Sequence, residues 1–147
     1  MNRDTRIVAG FVAVIPLAIL SSAIAATFAS PMWRLPFRLV CHGIVRRCLL
    51  LAGHPMPICA RCAGIYAGFL IGLAVFPLFR RTSEKLLRIA LGVVAVPMLI
   101  DGLTQAARLR ESTNSLRLAT GLTLGAAFGL WVVVAVETRA RERFARS

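Results

Sequence analysis

The sequence predicts an all-α protein, a polytopic membrane bundle of about four transmembrane helices with a short interfacial helix in its first loop. Three observations predict it. Of the 147 residues, 58% are hydrophobic, and the mean hydropathy of +0.75 exceeds that of an ordinary soluble domain. The polar residues do not recur as stripes along the chain; they separate apolar blocks long enough to cross a hydrocarbon core of about 30 Å. Finally, 18 Lys+Arg stand against 6 Asp+Glu, and most of these basic residues flank the apolar blocks. That placement makes anionic lipid headgroups a simpler partner than nucleic acid, and no nucleic acid is expected.

The first block, Ile7–Ala29, has 23 residues and follows Arg3 and Arg6; at helical rise it reaches about 34 Å. Ala23-Ile24-Ala25 has the small-residue pattern of a signal cleavage site, but the block is longer than a signal core, so a retained helix is expected. Residues 30–57 form an expected external loop with Pro31, Pro36, Pro55 and Pro57. Trp33 and Phe37 suit the headgroup level. An amphipathic helix over 37–51 is expected to lie on the membrane surface. Ile58–Phe79 is the second span, with Pro57 in its first turn. Leu86–Ala107 is the third, apolar from Ile89 to Ile100 and then carrying Asp101, Gln105 and Arg108. Leu116–Val136 is the fourth, opening at Arg117, and 137–147 reads as a basic tail.

Four spans put both termini on one side. The N-terminus, the 80–88 loop and the tail carry 10 of the 18 Lys+Arg, which predicts cytoplasmic termini in a bacterial inner membrane. The start of span 2, the end of span 3 and the start of span 4 then share the external face with the first loop. With Arg80, Arg88 and Glu137 at the inner boundary, Asp101 stands about 20 Å up its helix and Cys62 about 27 Å. A carboxylate at the depth of Asp101 needs a partner, and Arg61 and Arg117 are long enough to reach it. Asp101, Gln105 and Arg108 form one expected stripe, and Cys59, Cys62 and Tyr66 another. Gly64, Gly68 and Gly72, like Gly121, Gly125 and Gly129, recur every fourth residue and are expected to form small-residue packing ridges.

All four cysteines and both histidines fall between positions 41 and 62. Zinc takes four ligands, often two from a C-x-x-C knuckle. Cys59 and Cys62 supply the knuckle and Cys41-His42 a second pair, with Cys48 and His54 in reserve. Adjacent Cys41 and His42 need an accommodating turn if both are to bind. Competing readings of the same window are a redox pair at a helix N-terminus, a structural disulfide, and buried free thiols. The chain has no spaced hydrolase histidine, no phosphate-binding glycine loop and no H-E-x-x-H.

In order and spacing, Cys41-His42, Pro57-Ile-Cys59-Ala-Arg61-Cys62-Ala-Gly64-Ile-Tyr66, Asp101-Gly102-Leu-Thr-Gln105 and Asn114-Ser-Leu-Arg117-Leu-Ala-Thr120-Gly121 form a pattern over residues 41–130. It resembles a family of small bacterial and archaeal predicted membrane proteins of unknown function. Such proteins commonly read Arg-Ser-Phe where this chain has Arg47-Cys48-Leu49, so the resemblance implies that Cys48 is not a shared ligand. It narrows the expected metal ligands to Cys41, His42, Cys59 and Cys62, holding zinc, with iron second. Asp101 is expected to complete the shell or act as an acid/base. Gln105, Asn114 and Arg117, with Arg61 and Tyr66, are expected to bind a polar or anionic group such as a lipid head. The expected partners are membrane lipids and a lipid-linked or anionic small molecule. The competing classes are a non-enzymatic metal-handling or assembly subunit and a thiol-redox membrane protein.

Overall fold

A computed structural model describes residues 3–79 and 81–146. Four helices carry the chain: α1 (Arg3–Phe28), α2 (Ala60–Phe79), α3 (Glu84–Ala106) and α4 (Asn114–Arg146). Each is long and apolar enough to cross a membrane. Their outer faces expose large apolar side chains, among them Phe11, Ile15, Val93 and Leu103. That pattern suits acyl chains, which leave only the backbone to be satisfied within each helix. Arg80, expected at the inner boundary, lies outside the described residues. The basic segment after Val136 continues α4 to Arg146, helped by an i,i+4 pair between Arg141 and Glu137 at 2.7 Å.

Local chemistry sets the helix ends. Ser83 caps α3 by accepting from the Leu86 N–H at 3.3 Å, and Thr113 does the same for Leu116 at the start of α4, also at 3.3 Å. Past the end of α3, Arg108 takes φ +57°. Its N–H donates to Gln105 O at 3.1 Å and that of Leu109 to Thr104 O at 2.9 Å, a Schellman closure built without glycine. The closure ends the helix before Arg108, so the expected stripe Asp101–Gln105–Arg108 stops at Gln105 and Arg108 is exposed.

The first loop differs from expectation. No helix spans 37–51. A 3₁₀ segment covers Pro31–Leu39, a 3₁₀ turn Val45–Arg47, and an antiparallel hairpin follows, β1 (Cys48–Leu51) and β2 (His54–Cys59). Ala52 and Gly53 form its two-residue turn, with φ of +48° and +82°, the type I′ geometry that matches strand twist. Pro55 and Pro57 lack an N–H, which a two-stranded ribbon with free edges tolerates. Pro57 therefore sits in β2, and α2 opens at Ala60 rather than Ile58. The hairpin is held by burial: Met56 and Ile58 pack with Ala23, Ala26, Phe37 and Cys41 in one apolar cluster. A second cluster, with Phe76, Leu87 and Val133, closes the other end of the bundle.

Helices α2 and α4 are in backbone contact, and glycine makes this approach possible. A Cβ on Gly68 would overlap the carbonyl of Leu122, and one on Gly125 that of Ile65. The two expected glycine ridges thus face each other.

Candidate metal centre and its polar network

The hairpin and α2 deliver the thiols. Cys41 follows the 3₁₀ segment and donates its N–H to Phe37 O at 2.8 Å. Cys59 ends β2, and Cys62 lies in the first turn of α2. Their three Sγ atoms lie within 4.8 Å of one another. Tetrahedral thiolates on zinc stand about 3.8 Å apart, from Zn–S bonds of about 2.3 Å, so small side-chain rotations would close the set on an ion. The Cys59 N–H donates to Cys41 Sγ at 3.2 Å. Hydrogen bonds from the Cys59 and Cys62 thiols hold the Cys41 thiol well below the ordinary range, against the opposing effect of its burial. The thiolate is the form that binds a metal. All four cysteines are free.

His42 stands outside this group. Its side chain is exposed, and Gly43 turns the chain immediately after it with φ +57°. Cys41 thus faces inward while its neighbour does not. His54 is exposed at the hairpin tip, its ring edge-on to Phe28 at 5.8 Å. Cys48 lies in register with Cys59, but its Sγ donates to Ile44 O at 3.2 Å. Burial pushes its thiol up to about 11. Cys48 is 2% exposed and is expected to resist maleimide at about pH 8 until the protein unfolds. Peptide mapping after pulse labelling checks this, and early modification of Cys48 would contradict the placement. Tyr66 lies one turn along α2 from Cys62 and packs against the first apolar cluster.

A chain of hydrogen bonds connects α2, which carries Cys62, to the rest of this face. Arg61, between Cys59 and Cys62, donates to Asp101 Oδ2. Asp101 is 3% exposed; it also accepts from Gln105 Nε2 at 2.7 Å and from Arg110 Nη2 at 3.0 Å. Gln105 Oε1 accepts from Arg117 Nη2 at 2.8 Å, and Arg117 Nη1 donates to Asn114 Oδ1 at 3.0 Å. Asn114 Nδ2 donates to the Cys48 carbonyl at 3.0 Å, so the chain ends on the hairpin. Arg117 therefore reaches Asp101 through Gln105 rather than directly. Arg110 has no counterpart in the sequence reading; it lies in a loop outside any periodic stripe and folds back over the end of α3. Two guanidiniums and one amide occupy the Asp101 carboxylate, which equips it to anchor side chains.

The family described as "Predicted membrane protein (DUF2085)" matches residues 41–131. This chain belongs to the DUF2085 family. The match opens on Cys41 and closes on Trp131, taking in the hairpin, α2, α3 and most of α4 and leaving α1 outside. A relative, an uncharacterised protein of Methanocaldococcus jannaschii, is 38% identical over 91 residues, 60% of this chain and 58% of that protein. This chain thus spans little more than half of that relative's length. An uncharacterised protein of Methanothermobacter thermautotrophicus is 40% identical over 101 residues, 68% of this chain and 88% of that protein. No solved structure matches the chain.

Proposed function

We propose that this membrane protein holds a thiophilic metal ion on Cys41, Cys59 and Cys62 and handles a lipid-linked or anionic group on the same face. The observation that carries the metal reading is the convergence of three sulfurs within 4.8 Å from a loop, a strand end and a helix start, with Cys41 and Cys59 18 positions apart along the chain. Zinc fits this all-sulfur donor set, with iron second. Three protein ligands leave a fourth position, and a bound ion there would supply a Lewis acid. Asp101, with its oxygens occupied by Arg61, Arg110 and Gln105, positions arginines in this reading, which favours binding and handling over proton transfer. The excess of basic residues at the other end of the bundle supports placing this face outside the cell and the termini in the cytoplasm.

Anaerobic purification in detergent followed by elemental analysis tests the metal centre. The wild type is expected to carry about one ion per chain, and Cys41→Ser and Cys59→Ser to lose it. His42→Ala is expected to keep it, because His42 lies outside the sulfur group. A metal-free wild type would remove the proposal, and loss of metal in His42→Ala alone would replace the donor set.

A further inference from the structure

Among the described residues no carboxylate pairs with the buried guanidinium of Arg117. Arg117 is 5% exposed, yet its hydrogen bonds go to the neutral amides of Gln105 and Asn114. Among the described residues the carboxylate pairs on this face are Arg46–Glu111, Arg61–Asp101 and Arg110–Asp101; none includes Arg117. A guanidinium carries five N–H donors, and three of those on Arg117 are engaged, through Nε, Nη1 and Nη2. Two donors and a full positive charge are left over. An uncompensated charge in a buried position is strongly disfavoured, so the arrangement calls for an anion.

There is room for one. Arg117 lines a cavity of about 180 Å³ with Arg46, Arg47, Glu111 and the segment that starts α4, far above the ~15 Å³ that one water needs. A neighbouring cavity of about 540 Å³ shares Arg46, Arg47 and Glu111 and adds Arg108 and Arg110. The one carboxylate lining the smaller cavity, Glu111, pairs with Arg46 at 3.1 Å, and both side chains are largely exposed, so the pair is weak. The positive end of α4, a helix of 33 residues, opens on the same cavity. Guanidinium forks match phosphate oxygens in pairs. The cavity sits where α3 passes into α4, at the end of two spans, where lipid phosphates lie.

We infer that the cavity floored by Arg117 and walled by Arg46 and Arg47 is a phosphate site. This gives a chemical class to the anionic half of the function proposed above and does not depend on the metal half. The phosphate is either free or part of a lipid headgroup, and two arms separate these. One titrates detergent-solubilised protein with radiolabelled inorganic phosphate at constant ionic strength. The other reconstitutes the protein in phosphatidylcholine nanodiscs with and without phosphatidic acid and counts retained lipid by native mass spectrometry. Saturable binding in the first arm supports a free phosphate; saturation only in the second supports a lipid head.

In whichever arm binds, Arg117→Gln and Arg47→Gln are each expected to weaken binding about tenfold or more, the effect of losing a charge-assisted bond. Arg47→Gln keeps the test open if Arg117→Gln does not fold. Arg141→Gln, near the other end of α4, is expected to bind as the wild type. Metal content read on the same preparations tells a failed phosphate site from a failed metal centre. Absence of saturable binding in both arms, or equal weakening by Arg141→Gln, would overturn the inference.

Discussion

Asp101→Ala is expected to destabilise the protein by about 3–5 kcal/mol, the range for removing one member of a buried charge pair. The carboxylate is 3% exposed and is the shared acceptor for Arg61, Arg110 and Gln105. Its loss would strand Arg61, whose side chain is 21% exposed and whose Nε is already buried without a partner. Arg110 is 53% exposed and can turn to water, so Arg110→Gln is expected to cost less than about 1 kcal/mol. Asp101→Asn should fall near the alanine variant, since it keeps the shape and removes the charge. Denaturant titration in mixed micelles gives the order. Equal effects from Asp101→Ala and Arg110→Gln would show that the carboxylate is not the anchor. Because Arg61 lies between Cys59 and Cys62, the same variant is also expected to loosen the three-cysteine cluster and lower retention of the proposed metal ion.

The bundle was legible from the sequence because membrane spans are a matter of composition and length. The glycine ridges were legible for a similar reason, since the fourfold spacing of Gly64, Gly68 and Gly72 leaves one bare stripe on a helix. The hairpin was hidden. Cys48-Leu-Leu-Leu51 carries no alternation, and its turn places Ala52 in a left-handed conformation that usually signals itself with Asn or Gly. Burial of Met56 and Ile58 against α1 decided the matter, and a long-range contact leaves no local mark. Three of the four residues expected as ligands converge. The fourth, His42, lies outside that group, with its side chain exposed next to the buried Cys41. Arg110 was invisible because it returns to Asp101 across a helix terminus, where neither periodicity nor spacing constrains it.

The contact between α2 and α4 is where the smallest change should have the largest structural effect. Gly68→Ala adds one methyl group, yet that carbon would overlap the main-chain oxygen, carbon and Cα of Leu122. A side chain can rotate aside; a helix backbone cannot, so the helices must separate. Overpacking ordinarily costs about 1–3 kcal/mol, and a clash with backbone places Gly68→Ala at about 3 kcal/mol. Gly68→Val, with two more carbons, is expected to abolish the folded state. Gly92 on α3 provides the control: nothing lies within 4 Å of a Cβ there. Gly92→Ala should be neutral or stabilise by up to about 1 kcal/mol, the helix preference of alanine over glycine. Thermal denaturation of the three variants in detergent separates the cases, and a destabilised Gly92→Ala beside an unaffected Gly68→Ala would refute the close approach. The consequence reaches the site, because α2 carries Arg61 and Cys62 while α4 carries Asn114 and Arg117. Pushing the two helices apart stretches the path Arg61–Asp101–Gln105–Arg117, whose members tolerate only hydrogen-bond distances. Gly68→Ala is therefore expected to lower retention of the proposed metal ion and binding at the proposed phosphate site together, although the residue lines neither.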